Sequence, residues 1–209
     1  MRKISILVVL VIFVFVNGKG QTKIALKGGV NYSTARVYHG TEKQPTDYKL
    51  GGNIGVQADM PFDGGLHFSP YIAYNLKGFI TLPKTGNITK IDNTIHYVEM
   101  APKLTYHFTN DKAGSFTAGA GMSLGVAVAG REKITDNGVT TDEKMKFSIV
   151  NKYGLFDFGF VPSIGYSTKK IFIEAVYQMG LTNINNNEEN DGRNIRNRTF
   201  SLNLGFFLK

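Results

Sequence analysis

Four histidines, His39, His67, His96 and His107, are the residues of this chain best suited to acid–base or metal chemistry. None stands at a short ligand spacing from another, and the chain has no cysteine. Zinc sites usually show in sequence as closely spaced Cys and His pairs, so no metal centre is expected. His67 and His107 fall on the polar faces of alternating segments, where hydrogen bonding is their expected role. Lipid hydrolysis would need a serine and a histidine on neighbouring strand faces. The serines and histidines here lie on polar faces or in loops, with no pair at strand-neighbour spacing. Gly119-Ala120-Gly121 is not a phosphate loop, because no helix follows it; its expected use is room for opposing side chains. No catalytic residue, cofactor or enzymatic activity is expected.

What remains chemically distinctive is a set of polar and charged residues inside otherwise apolar segments. Lys27, Gln57, Asp59, Tyr71, Glu99, Lys103, Asp157, Glu174 and Gln178 are expected to form one interior polar network, with Lys77 adding to its cations. Their positioning elements are strands, since the chain alternates with period two and shows no helical period. The alternating segments run over residues 23–32, 48–60, 66–77, 94–108, 115–128, 155–166, 170–181 and 198–208. In the last, Phe200, Leu202, Leu204, Phe206 and Leu208 oppose Thr199, Ser201, Asn203 and Gly205. Pro102 and Pro162 interrupt two segments, and bulges are the expected accommodation.

The connections alternate strictly between long and short. Those near residues 33–47, 78–93, 129–154 and 182–197 are long; Phe62 to Gly65, Thr109 to Gly114 and Ser167 to Lys169 are short. The Asn-rich stretch 183–197 reads as a mobile loop. The fold expected is all-β: an eight-stranded antiparallel up-and-down transmembrane β-barrel with short periplasmic turns and four long outer loops. Ahead of it, Arg2 and Lys3 precede an apolar run from Ile4 to Val16, too short to span a bilayer. Residues 1–20 are therefore expected to be an export signal, and residues 21–209 the barrel domain. Its removal would lower the formal charge from +8 to +5, by Arg2, Lys3 and Lys19. The basic residues are scattered, so no nucleic-acid partner is expected.

Alternation alone does not say which face is inside. Volume decides it: roughly forty large apolar side chains cannot fit an eight-stranded interior only just wide enough for side chains. The polar faces carry near-balanced charges, as a packed interior demands. Phe62, Phe68, Tyr106, Phe108, Phe116, Tyr166 and Phe206 sit near the short-turn ends and are expected to form a periplasmic aromatic girdle.

The order and spacing of four motifs, at residues 97–106, 118–125, 156–166 and 171–184, make the chain resemble the PorT-like outer-membrane β-barrels common in Bacteroidota. Tyr97-Val98-Glu99-Met100-Ala101-Pro102-Lys103-Leu104-Thr105-Tyr106 looks like that family's fourth strand. Ala118 to Gly125 looks like its glycine-rich fifth, Phe156 to Tyr166 its sixth, and Ile171 to Ile184 its seventh. Val176 departs from the basic residue many members carry, and the final strand ends Phe206-Phe207-Leu208-Lys209 rather than on an aromatic. The resemblance implies export to the outer membrane and assembly by the barrel-assembly machinery, with outer-membrane lipid as a partner and no shared activity. Asn31, Asn87 and Asn197 open glycosylation triplets, which are chance matches in a bacterium.

The expected function is a structural or loop-mediated binding role at the cell surface, toward an extracellular ligand or envelope protein. A small channel or secretion-associated barrel is one alternative. A soluble periplasmic barrel binding an apolar ligand is the other.

Overall fold

The computed structural model describes residues 22–84, 86–108, 114–149, 153–186 and 192–208. The expected export signal, residues 1–20, lies outside the described residues, as does most of the Thr109 to Gly114 turn.

The described residues form strands β1 (Lys23–His39), β2 (Glu42–Gln44), β3 (Thr46–Pro61), β4 (Leu66–Phe68), β5 (Tyr71–Thr81), β6 (Ile88–Ala101), β7 (Lys103–His107) and β8 (Ser115–Asp136). They continue with β9 (Val139–Lys144), β10 (Phe147–Ser148), β11 (Tyr153–Gly154), β12 (Phe156–Phe160), β13 (Ser163–Ser167), β14 (Ile171–Gly180) and β15 (Arg193–Phe207). Fifteen strands replace eight expected segments partly because Pro45, Pro70, Pro102 and Pro162 each fall in a gap between two of them. Proline has no N–H to give the ladder.

Pairing is antiparallel throughout the main sheet and returns to its starting strand. β1 pairs with β3, β3 with β4 and β5, β5 with β6, and β4 with β7. β6 and β7 pair with β8, β8 with β12 and β13, those two with β14, β14 with β15, and β15 with β1. Each long ladder therefore has a partner on both sides.

Burial is inverted relative to a soluble protein. Leu50, Ile54 and Ile164 are 72%, 68% and 68% exposed, while Lys103, Glu99 and Asp157 are 1%, 2% and 0% exposed. A protein in water buries the first group and solvates the second. The apolar face of the alternation points out and the polar face points in.

Three expectations change. The prolines do not sit in bulges. Met100 pairs with Leu124 and Lys103 with Gly121, three residues on along each strand. Likewise Phe160 pairs with Met122 and Ser163 with Gly119. Register passes both prolines unchanged, and only the hydrogen bond is lost; the shifts lie at Tyr48/Asn53, Ile88/Lys90 and His96/Tyr97.

The long connections are largely strand, too. β8 and β9 make a hairpin whose turn residues Asn137 and Gly138 both have positive φ, 47° and 81°. That is the combination an Asn-Gly type I′ turn requires.

The Asn-rich stretch is also built in rather than mobile over its described part. Asn183 Oδ1 accepts from the backbone N–H groups of Asn185 (3.0 Å) and Ile195 (2.8 Å), and β15 already begins at Arg193.

Candidate functional site

The nine residues expected in the interior network are all buried, on the inward face of their strands. All but Asp59 and Asp157 form two linked knots. In the first, Glu99 is the acceptor: Tyr71 OH donates to Oε1 (2.8 Å), and Lys77 Nζ (2.5 Å) and Gln178 Nε2 (2.9 Å) donate to Oε2. Lys77 also donates to Gln178, and Gln178 to Ser123 (2.8 Å). These contacts join β5, β6, β8 and β14 across the interior.

In the second knot Lys103 donates to Glu174 and reaches Ser163 at 3.4 Å. Lys27 stands 4.0 Å from the other Glu174 oxygen, 3.4 Å from Gln57 Oε1, and 3.9 Å from the centre of the Tyr71 ring. A buried ammonium over an aromatic face gains from the ring quadrupole. The three buried cations share two carboxylates, Glu99 for Lys77 and Glu174 for Lys103 and Lys27, and this pairing offsets part of the cost of burying them.

Asp157 stands apart from both knots. Asn197 Nδ2 donates to its Oδ2 (2.9 Å) and to Tyr97 OH (3.2 Å). Asp59 lies at the short-turn end, where His67 Nδ1 is 2.9 Å away and Ser69 Oγ donates at 3.1 Å. So the single network expected from the sequence is two knots with Asp157 and Asp59 as separate outliers.

Sequence spacing excludes a metal set, yet Asp59, His67 and His107 present ligand atoms within 4.8 Å of one another. The His67 and His107 rings stack with centroids 3.9 Å apart. Tetrahedral zinc wants ligand atoms about 3.3 Å apart, so the set would have to contract to hold one. The three residues come from β3, β4 and β7, which pair side by side, and that proximity has no trace in linear spacing.

Sequence reasoning singled out too few residues. An asparagine layer fills the middle: Asn53 Nδ2 donates to Asn31 Oδ1 (2.8 Å) and Asn203 Oδ1 (2.9 Å), and Asn31 Nδ2 reaches Asn75 Oδ1 at 3.3 Å. All four occupy inward positions of the alternation, which was the signal available. The long-connection end is filled by an apolar cluster that uses Met145, Tyr153 and Ile184 against Val37, Phe79, Ile95 and Tyr97. Burial first, and then the Glu132 carboxylate its hydroxyl contacts, hold the Tyr153 phenol well above its ordinary pKa. Two cavities along the interior measure about 20 Å³ each, which is room for about one water.

The seven aromatics expected as a girdle lie on the outward side at the short-turn end. Phe62 lies 6.5 Å from Phe68, Tyr106 5.2 Å from Phe108, and Phe116 5.1 Å from Tyr166, ring centre to ring centre. Phe206 is 53% exposed.

The outer membrane protein beta-barrel domain matches residues 19–186. This chain belongs to that family. An outer-membrane location follows for this barrel protein. No curated protein matches it in sequence. Among solved structures it is similar to Ail, the attachment invasion locus protein of Yersinia pestis, at 13% identity and TM-score 0.46 over 90% of this chain and 99% of that one. OprG from Pseudomonas aeruginosa aligns at 9% identity and TM-score 0.46, covering 91% and 98%. Neisserial surface protein A aligns at 11% identity and TM-score 0.44, covering 88% and 96%.

Proposed function

We propose that the chain is a non-enzymatic, closed eight-stranded barrel whose interior is filled and whose role at the cell surface belongs to its outer loops. In this reading residues 1–20 direct export, the short turns face the periplasm, and the seven aromatics sit at the inner lipid interface. Outer-membrane lipid and the barrel-assembly machinery are its partners in the envelope. The PorT-like resemblance of β6 to β14 agrees with this and adds no activity.

The observation that carries the reading is the obstructed interior. The knots around Glu99 and Glu174 join β6 and β7 to β14 across the interior, and the cluster around Ile184 covers the outer mouth. An eight-stranded barrel has no spare width for a water column once such side chains occupy it. Binding at the surface then falls to the elements beyond the lipid, β2, β9, β10 and β11 with their turns.

The test is purification from outer membranes followed by planar-bilayer recording. The native protein should need detergent for extraction, migrate differently before and after boiling, and give no stable conductance steps. Large steady steps would replace this reading with a channel. Release without detergent would replace it with a soluble periplasmic barrel.

A further inference from the structure

Outward positions on β1, β3 and β15 are apolar or aromatic for most of their length and then change abruptly toward the outer loops. Tyr32 pairs with Phe200, and Phe200 with Tyr177 on its other side. Tyr32 and Tyr48 stack almost parallel, with centroids 4.4 Å apart and planes 2° apart. One outward step beyond this aromatic row, Arg198 stands beside Thr34, and the next step sets Arg36 directly opposite Arg196. Lys43 joins them from β2, opposite Tyr38.

Like charges directly opposite on a sheet destabilise it. Here two arginines face each other, a third lies one rung below, and among the described residues none of the four cations has an ion-pair partner. Elsewhere beyond the lipid the same chain does provide partners: Arg131 meets Asp142 at 3.0 Å and Lys84 meets Glu42 at 2.8 Å. A groove of about 520 Å³ runs over the unpartnered patch, lined by Arg36, Lys43 and Arg198 with Tyr32, Tyr48 and Tyr177. That volume is in the range of small-ligand sites.

We propose that this groove binds the phosphate-bearing head group of an outer-leaflet glycolipid. The inference rests on the membrane orientation proposed above. Tyrosines mark the head-group level of a bilayer. Arginines one and two rungs beyond it reach the layer of lipid phosphates, and guanidinium groups take phosphate oxygens bidentately. A phosphate between Arg36, Arg196 and Arg198 supplies the anion that the chain itself omits. The acyl chains below lie against Phe200, Leu202 and Val30, which are exposed on the same face. Free inorganic phosphate shares the charge chemistry but not this apolar contact.

The test uses the full-length barrel, refolded in phosphatidylcholine nanodiscs and checked by heat-modifiable migration, with bisphosphorylated lipid A as probe. Wild type should bind it saturably, and the Arg36→Gln/Arg198→Gln variant should bind about tenfold more weakly or worse. In the absence of lipid A that variant should be as stable as wild type or more so, because repulsion is relieved. Lys169→Gln/Lys170→Gln, at the opposite rim, should bind as wild type does. Equal binding by the arginine variant, equal loss in the Lys169/Lys170 control, undiminished binding of dephosphorylated lipid A, or full displacement by millimolar inorganic phosphate each overturns the proposal. A protein that never enters the discs fails the barrel reading instead, and is recognised by its unshifted migration.

Discussion

Lys77 and Glu99, 22 residues apart in the chain, meet inside the ring with Nζ 2.5 Å from Oε2, both almost fully buried. Tyr71 and Gln178 complete the carboxylate's shell, so the acid is shared by three donors. Removing it leaves the Lys77 charge without a carboxylate and the Tyr71 hydroxyl without its acceptor. Glu99→Ala is expected to cost about 3–5 kcal/mol, the usual penalty for leaving a buried charge without its partner. The measurement is the denaturant midpoint for loss of the heat-modifiable form. Lys77→Met/Glu99→Leu removes both charges and should recover more than half of the loss. A double variant as unstable as the two single losses combined would show that the pair is not coupled.

Gly205 lies under the Phe172 ring, its direct cross-strand partner. A Cβ on Gly205 would fall 2.2 Å from ring carbons Cε1 and Cζ, and the ring is itself packed 5.5 Å from Phe207. Gly205→Ala should therefore destabilise the barrel by about 1–3 kcal/mol through overpacking. The paired variant Gly205→Ala/Phe172→Leu should lose less, since a smaller side chain vacates the space. Urea titration of both variants in one detergent decides the matter.

Period-two alternation made the outward and interior faces legible, because Leu50 and Ile54 cannot exchange sides with Lys103 and Glu99 without burying or exposing the wrong chemistry. The inward set was legible residue by residue for the same reason. Its division into two knots was not, since which carboxylate each lysine reaches depends on barrel stagger. Pro102 and Pro162 were misread because a missing N–H looks the same in sequence whether or not an extra residue is inserted. The Asp59, His67 and His107 cluster joins three strands and leaves no linear spacing. Ile184 was hidden in a polar stretch whose asparagines suggested mobility, while Asn183 in fact caps the turn.

Ile184 is 1% exposed, and its backbone bonds tie it to β15 and to β11: its N–H donates to Ile195 O at 2.8 Å and its carbonyl accepts from Gly154 at 2.7 Å. Ile184→Ala leaves those bonds intact and opens a cavity at the long-connection end. The expected cost is about 2–5 kcal/mol if the mouth cluster unfolds with the barrel. Hydrogen exchange separates two outcomes. Faster exchange at Gly154 and Ile195 with unchanged exchange at Val30 and Leu202 means that the mouth is an independent unit. Uniform acceleration means that the loops and the strands share one cooperative transition.

Glu42 and Lys84 tie the β2 turn to the connection after β5, with Lys84 Nζ donating to Glu42 Oε1 at 2.8 Å. This hydrogen bond, followed by the charge of the same ammonium, holds the Glu42 carboxyl below its ordinary pKa. A depressed carboxyl adds stability that is fully present above its unfolded value of about 4.3 and is lost as pH falls through the folded one. The pair is exposed, so the consequence is local: the two outer connections should separate in acid while the strands stay paired. Side-chain NMR of Glu42 in the folded protein should show a titration midpoint lower than in Lys84→Ala, where the value should return to the ordinary range. Identical midpoints in the two proteins would mean that the contact does not persist in solution.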